Sequence, residues 1–188
     1  MTKKNLLKKA FVAYALCEFC VEVGAWVYLK KHEVTKVHGV TVYKVPDWIS
    51  NNVFNCRFAC STYFWFKPII LIDDSFYKLC DNDECIADFI IAHELAHIKL
   101  GHLKENIKTL LHGKLPKRNI RHEIEADKYA YTKFPNVLPE DAKKFFDKAG
   151  FAIEQERIDS VDTDIAYKNL TEEMWWELWE RQLLMILY

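Results

Sequence analysis

Two histidines with a glutamate between them form the most chemically suggestive motif in this chain of 188 residues. His93 and His97 are four residues apart, within the run HELAH. On an α-helix this spacing places them about 40° apart around the axis, so both imidazoles can reach one ion. Glu94 lies about 100° from His93 and can reach a water molecule bound to that ion. The motif predicts a zinc site, one ion per chain, with His93 and His97 as ligands and Glu94 as general base.

A second motif supplies the ligand that two histidines lack. A catalytic zinc usually has three protein ligands and one open position. Glu123 and Asp127 are again four residues apart, in the run RHEIEADKYAY. Glu123 is the predicted third ligand, and Asp127 is expected to accept a hydrogen bond from the outer nitrogen of a ligating histidine. Glu125 is the competing ligand, but it points to roughly the opposite face of the helix.

His102 follows the first motif closely but is not expected to be a ligand. In a continuous helix it would lie about 180° around the axis from His93. A long zinc signature, H-E-x-x-H-x-x-G-x-x-H, would also need glycine at position 100 and histidine at position 103, where this chain has leucine. The sequence therefore favours a two-histidine, one-glutamate site.

Hydrolysis at such a site would develop an oxyanion, which needs a further hydrogen-bond donor. Four side chains in or beside the second motif could supply it, and the sequence does not choose among them. They are His122, Tyr129, Tyr131 and Arg121.

Periodicity and capping residues predict the elements that must position these motifs. The chain is expected to be a single α+β domain with an N-terminal helix (1–36), a core (37–135) and a C-terminal helical extension (136–188). Strands are predicted at 37–45, at one or two places in 53–66, and at 69–72, where IILI indicates a buried strand. Helices are predicted at 3–31, from Asp81 or Asp83 to about Leu100, at 103–112, 118–133 and 139–149, and from about Thr171.

Composition excludes some classes of protein. A formal net charge of −1 argues against direct binding to nucleic acid, which needs a basic excess. The N-terminal lysines and apolar stretch resemble an export signal, but Glu18 and Glu22 interrupt the stretch and no small-residue cleavage site follows. We therefore expect a soluble, cytoplasmic chain without a transmembrane segment, whose six cysteines are reduced rather than paired in disulfides.

The end of the chain is rich in tryptophan, in the run MWWELWERQLLMILY. Its apolar residues cover more than one face of a helix, which is more typical of a core element than of a binding surface. Self-association or partner binding through this helix is the alternative, and an exposed patch would mark it.

The motif HELAHIKLGH, followed by E-x-E-A-D-x-x-A, resembles the gluzincin metallopeptidases and, among them, the ImmA/IrrE-type peptidases. The resemblance covers about residues 67–132, including the strand IILID before the HExxH helix. At this position the ImmA/IrrE family often has asparagine. This chain has Asp127 instead, and membrane-type HtpX-like peptidases also have aspartate there.

The resemblance implies a zincin-like fold, a small mixed sheet packed on the HExxH helix and a second ligand-bearing helix. It also implies zinc on His93, His97 and Glu123, and cleavage of a regulatory protein, often a repressor, in bacteria, phages or mobile elements. The alternative function is a non-catalytic, zinc-stabilised module that binds a partner protein.

Overall fold

The computed structural model describes residues 23–53, 57–111, 119–150 and 155–169. These ranges form a mixed α+β fold, with one four-stranded mixed sheet and eight helices. In chain order the elements are α1 (23–31), β1 (Glu33–Val37), β2 (Val40–Lys44), α2 (Asp47–Val53), β3 (Ala59–Phe64), β4 (Lys67–Ile72), α3 (Asp74–Cys80), α4 (Glu84–Leu100), α5 (His102–Leu111), α6 (Ile120–Lys133), α7 (Pro139–Ala149) and α8 (155–169).

The sheet has the strand order β1-β2-β4-β3. β2 and β4 are parallel, and the two outer pairs are antiparallel. Successive residues of β4 point to opposite faces. Ile70 and Ile72 pack into the larger core with α4 and α7, whereas Ile69 and Leu71 pack with α1 and Val45 on the other face. The prediction of a buried strand at 69–72 is confirmed, and both of its faces are covered.

The predicted strand at 37–45 is wrong in one respect, because this region is a hairpin of two strands. His38 and Gly39 form the turn between β1 and β2, with φ angles of 49° and 81°. Positive φ at both turn residues is typical of two-residue hairpins, but the usual signature is Asn-Gly or Asp-Gly. His-Gly lacks that signature. The alternation of apolar and polar residues continues across the turn, so it predicts one strand instead of two.

The helix that carries the HExxH motif has the predicted ends. The Asp83 carboxylate caps its first turn by accepting from the Ile86 N–H, at 3.4 Å. Gly101 ends it in the left-handed conformation, with φ of 81°. A residue with a Cβ rarely adopts this φ, which explains why glycine occupies the position. The chain turns here, and α5 begins at the next residue, His102.

Three helices were not predicted individually: α2, α3 and α8, although α8 lies within the predicted helical extension at 136–188. α3 is stabilised by Asp73, whose carboxylate accepts hydrogen bonds from the Phe76 and Phe58 N–H groups. Both α2 and α3 are seven residues long, which is too short for a clear helical period.

The N-terminal part of the helix predicted at 3–31 and the Trp-rich helix predicted from Thr171 lie outside the described residues. Among the described helices, none combines the length and the apolar character needed to cross a membrane.

Candidate metal centre

The site is built where α4 and α6 pack against each other. Ala126 and Ala130 of α6 are completely buried, and such small side chains allow two helices to approach closely. On α4, the apolar residues on either side of the motif bury the helix against the sheet, so His93 and Glu94 are also buried. The HExxH motif is thus largely buried where α4 faces α6.

Three side chains converge at this place. The Nε2 atoms of His93 and His97 lie 3.1 Å apart. The two carboxylate oxygens of Glu123 each lie 3.6 Å from one of these nitrogens. Among the described residues, these three side chains form the one group of histidine, cysteine or acidic side chains close enough to hold a metal ion.

The spacing of these atoms fits a tetrahedral zinc ion. Zinc–nitrogen bonds of about 2.0–2.1 Å place neighbouring tetrahedral ligand atoms about 3.3 Å apart. The closest separations, 3.1 Å between the nitrogens and 3.6 Å from each nitrogen to a different oxygen of Glu123, are comparable with that value. Two imidazoles and one carboxylate are a common ligand set for a catalytic zinc.

Asp127 lies behind His93, as the sequence led us to expect. Its Oδ1 atom is 2.8 Å from His93 Nδ1, and both groups are buried. This contact leaves the proton of a neutral His93 on Nδ1 and the lone pair of Nε2 directed at the centre of the site.

Arg157, on α8, joins this network and was missed by the sequence analysis. Its guanidinium donates to both oxygens of Asp127, each at 2.8 Å, and to Glu123 Oε2 at 3.2 Å. Only 4% of the Arg157 side chain is exposed, so this fork places one buried positive charge between two carboxylates. No motif links residue 157 to the HExxH helix in the sequence.

The charges in this network shift the pKa values of His93, His97 and Glu123. Burial opposes a charged His93, but the charge and hydrogen bond of Asp127, with help from Glu123, raise its pKa to about 9. Burial and the neighbouring charge of His93 lower the pKa of His97 to about 3. Burial would raise the pKa of Glu123, yet the hydrogen bond and charge of His93, together with Arg157, hold it well below its usual range. These directions favour a protonated His93 beside an ionised Glu123.

Glu94 is held by the edge of the sheet. Its Oε2 atom accepts a hydrogen bond from the Ser61 backbone N–H in β3, at 2.6 Å. Burial raises the pKa of Glu94, and the charge of His93 and the Ser61 hydrogen bond oppose this shift. The carboxylate is thus buried beside the ligands and carries a raised proton affinity.

His102 and Glu125, which were not expected to be ligands, lie together behind His97. His102 Nδ1 is 2.9 Å from His97 Nδ1, and His102 Nε2 is 3.3 Å from Glu125 Oε2. Neither residue belongs to the metal-holding group among the described residues. The helix that begins at Glu84 is not continuous through His102, because the chain turns at Gly101.

The four candidate oxyanion donors lie on or beside α6 with varied partners. Arg121 Nε donates to Glu125 Oε1 at 2.8 Å, and the side chain is 81% exposed. The His122 ring stacks on His102, and Tyr131 donates to the Asp164 carboxylate. The Tyr129 ring packs edge-on against Phe134. Arg121 is therefore paired with a carboxylate on its own helix, and Tyr131 with a carboxylate on α8.

Comparison of the chain with protein-family models, with curated proteins and with solved structures finds no match.

Proposed function

We propose that this chain is a zinc-dependent endopeptidase of the ImmA/IrrE type that hydrolyses peptide bonds of a specific regulatory protein, such as a repressor. The single observation that carries the proposal is the convergence of His93, His97 and Glu123 beside the buried carboxylate of Glu94. A purely structural zinc usually has four protein ligands, whereas three ligands leave a position for water or substrate.

His93, His97 and Glu123 are the residues that would hold the zinc ion. When bound, zinc lowers the pKa of a coordinated water to about 7 and polarises a carbonyl oxygen. Asp127 and Arg157 keep the ligands in place, because Asp127 orients His93 and Arg157 contacts both carboxylates.

Glu94 is the residue that would move the proton. A general base works best when its pKa lies near the operating pH, and burial raises the pKa of Glu94 in that direction. Its carboxylate would accept a proton from the attacking water and then donate it to the leaving amine. This assignment agrees with the position of Glu94 on α4, one residue beyond the ligand His93.

β3 is the strand that would bind the substrate. It is the last strand in the sheet order, and the Ser61 N–H is directed to Glu94 rather than to β4. The backbone edge that an extended peptide would join therefore adjoins the general base. A peptide that accepts from the Ser61 N–H would displace the Glu94 carboxylate and release it for proton transfer.

The experiment compares cleavage by the wild-type protein with cleavage by Glu94→Gln. Each zinc-loaded protein is incubated with a peptide library of diverse sequence, and newly formed amino termini are identified by mass spectrometry. We expect Glu94→Gln to retain zinc and to cleave about 10²- to 10⁴-fold more slowly, because it lacks the general base. Glu84→Gln, a change at an exposed residue in the first turn of the same helix, should cleave like the wild type.

Equal cleavage by wild type and Glu94→Gln would remove Glu94 from this role. The second candidate function is a non-catalytic, zinc-stabilised module that binds a partner protein. The observation in its favour is that the Glu94 carboxylate already has a backbone partner, at 2.6 Å. A wild type that binds zinc and unfolds when zinc is removed, but cleaves no peptide, would support this module.

A further inference from the structure

We propose that His102 and Glu125 form a hydrogen-bonded chain that positions the ligand His97, as Asp127 positions His93. The inference rests on the zinc site of the proposed function and assigns a role to two residues that lie outside the metal-holding group. His102 is a positioning residue, because it contacts a ligand and not the centre of the site.

The turn at Gly101 creates this arrangement. Residues five apart in a continuous helix lie about 140° apart around the axis, so His97 and His102 would not meet. The left-handed Gly101 ends α4, and His102 becomes the first residue of α5. The His102 ring then lies behind His97, with the two Nδ1 atoms 2.9 Å apart.

The positions of the nitrogen atoms fix the direction of the hydrogen bonds. A ligating His97 needs a free lone pair on Nε2, so its proton is on Nδ1. His97 Nδ1–H then donates to His102 Nδ1, and the His102 proton is on Nε2. That Nε2–H donates to the Glu125 carboxylate, 3.3 Å away. The chain has one consistent set of donors and acceptors, and it ends at an anion.

The surroundings of His102 hold its ring in this orientation. The His102 side chain is 5% exposed, and the His122 ring lies flat against it, with centroids 4.1 Å apart and an interplanar angle of 2°. His122 Nε2 is in turn 3.1 Å from a carboxylate oxygen of Glu105. The His102 ring is therefore held by contacts from α6 in addition to its hydrogen bond with His97 on α4.

The two ligating histidines therefore have different outer partners. His93 contacts the buried carboxylate of Asp127 directly. His97 contacts a neutral imidazole, and the negative charge is one residue further away, on the 40% exposed side chain of Glu125. The His97 branch thus extends from the buried site to the protein surface.

The experiment uses two amide substitutions that separate the two nitrogens of His102. In His102→Asn the side-chain oxygen can take the place of Nδ1 and accept from His97, whereas in His102→Gln the amide reaches the place of Nε2. His102→Phe keeps a flat ring for His122 but removes both nitrogens. The zinc dissociation constant of each full-length protein is measured by competition with a chromophoric chelator.

We expect His102→Gln and His102→Phe to bind zinc about 10- to 100-fold more weakly than the wild type, as is typical for loss of an outer partner of a ligand. His102→Asn should retain most of the affinity. Nitrogen-15 spectra of the zinc-loaded wild type and His102→Asn should show a hydrogen-bonded Nδ1–H on His97, and His102→Phe should lose that hydrogen bond. This second readout reports on the tautomer of His97 and not on general stability.

The results distinguish this inference from the proposed function. Zinc binding with equal affinity in wild type and all three variants would overturn the positioning role and leave the metal site intact. An equal loss of zinc affinity in His102→Asn and His102→Gln would also overturn the positioning role, because the position of the acceptor would then not matter. A folded wild type that binds no zinc would instead overturn the proposed function on which the inference rests.

Discussion

Arg157 donates two hydrogen bonds to Asp127, and one of the two acceptor oxygens, Oδ1, also lies 2.8 Å from His93 Nδ1. The same guanidinium reaches Glu123 at 3.2 Å. A residue 60 positions beyond the HExxH motif thus contacts both Glu123 and Asp127, the partner of His93. The described part of the C-terminal region contributes directly to the site.

Removal of Arg157 should strongly destabilise the protein. Arg157→Met keeps much of the side-chain volume but leaves two carboxylates without their buried cation, which typically costs about 3–5 kcal/mol. The free energy of unfolding is measured by urea denaturation of the metal-free protein. Lys128→Met is the matched control, because it breaks an exposed ion pair with Asp164 between the same two helices and should cost less than about 1 kcal/mol. Similar losses in the two variants would show that the buried fork has no special role.

The turn at Gly101 should be sensitive to any side chain. A Cβ at this position would meet no atom within 4 Å, so the cost of Gly101→Ala comes from its φ of 81° alone. We expect a loss of about 1–2 kcal/mol in the free energy of unfolding, measured by denaturation. Gly24→Ala, in α1, also meets no atom but has no positive φ. It should stabilise by up to about 1 kcal/mol, the gain expected for alanine over glycine in a helix. Equal effects of the two substitutions would show that the positive φ of Gly101 does not disfavour a side chain.

Zinc affinity should depend on pH through His93. The Asp127 charge and hydrogen bond overcome burial and raise the pKa of His93 to about 9, so the ring is protonated in the metal-free protein below that pH. Zinc must displace this proton, so its apparent affinity should fall about tenfold for each pH unit between pH 8 and pH 6. His97, whose pKa burial lowers to about 3, releases no proton in this range. Chelator competition at several pH values measures the slope.

Asp127→Asn is the matched variant for this pH dependence. Without the carboxylate, the pKa of His93 should return towards or below its ordinary value, and the slope above about pH 7 should flatten. A flat profile in the wild type, or the same slope in both proteins, would contradict the assignment of the proton to His93.

Local signals allowed much of the fold around α4 and α6 to be predicted. Asp83 and Gly101 mark the ends of α4, and Pro139 and Gly150 mark those of α7, because caps and turn residues act within a few positions. The spacing of His93 and His97 gives their common face, since helix geometry depends on sequence separation alone.

Contacts between distant elements could not be predicted in this way. Arg157 lies in α8, whose bounds within the predicted helical extension were not identified, and its partners are 30 and 34 positions away. The His97–His102 contact depends on a turn that breaks helical periodicity. The Ser61–Glu94 hydrogen bond comes from a backbone N–H, which leaves no trace in the side-chain pattern.

The central claim is that His93, His97 and Glu123 together hold one zinc ion. The most direct measurement is the zinc content per chain after extensive dialysis, determined by elemental analysis for wild type, Glu123→Ala and Glu125→Gln. We expect about one zinc in the wild type, a clear loss in Glu123→Ala, and retention in Glu125→Gln, where the amide oxygen still accepts from His102. A folded wild type without zinc, or full retention in Glu123→Ala, would show that these three residues do not form the zinc site.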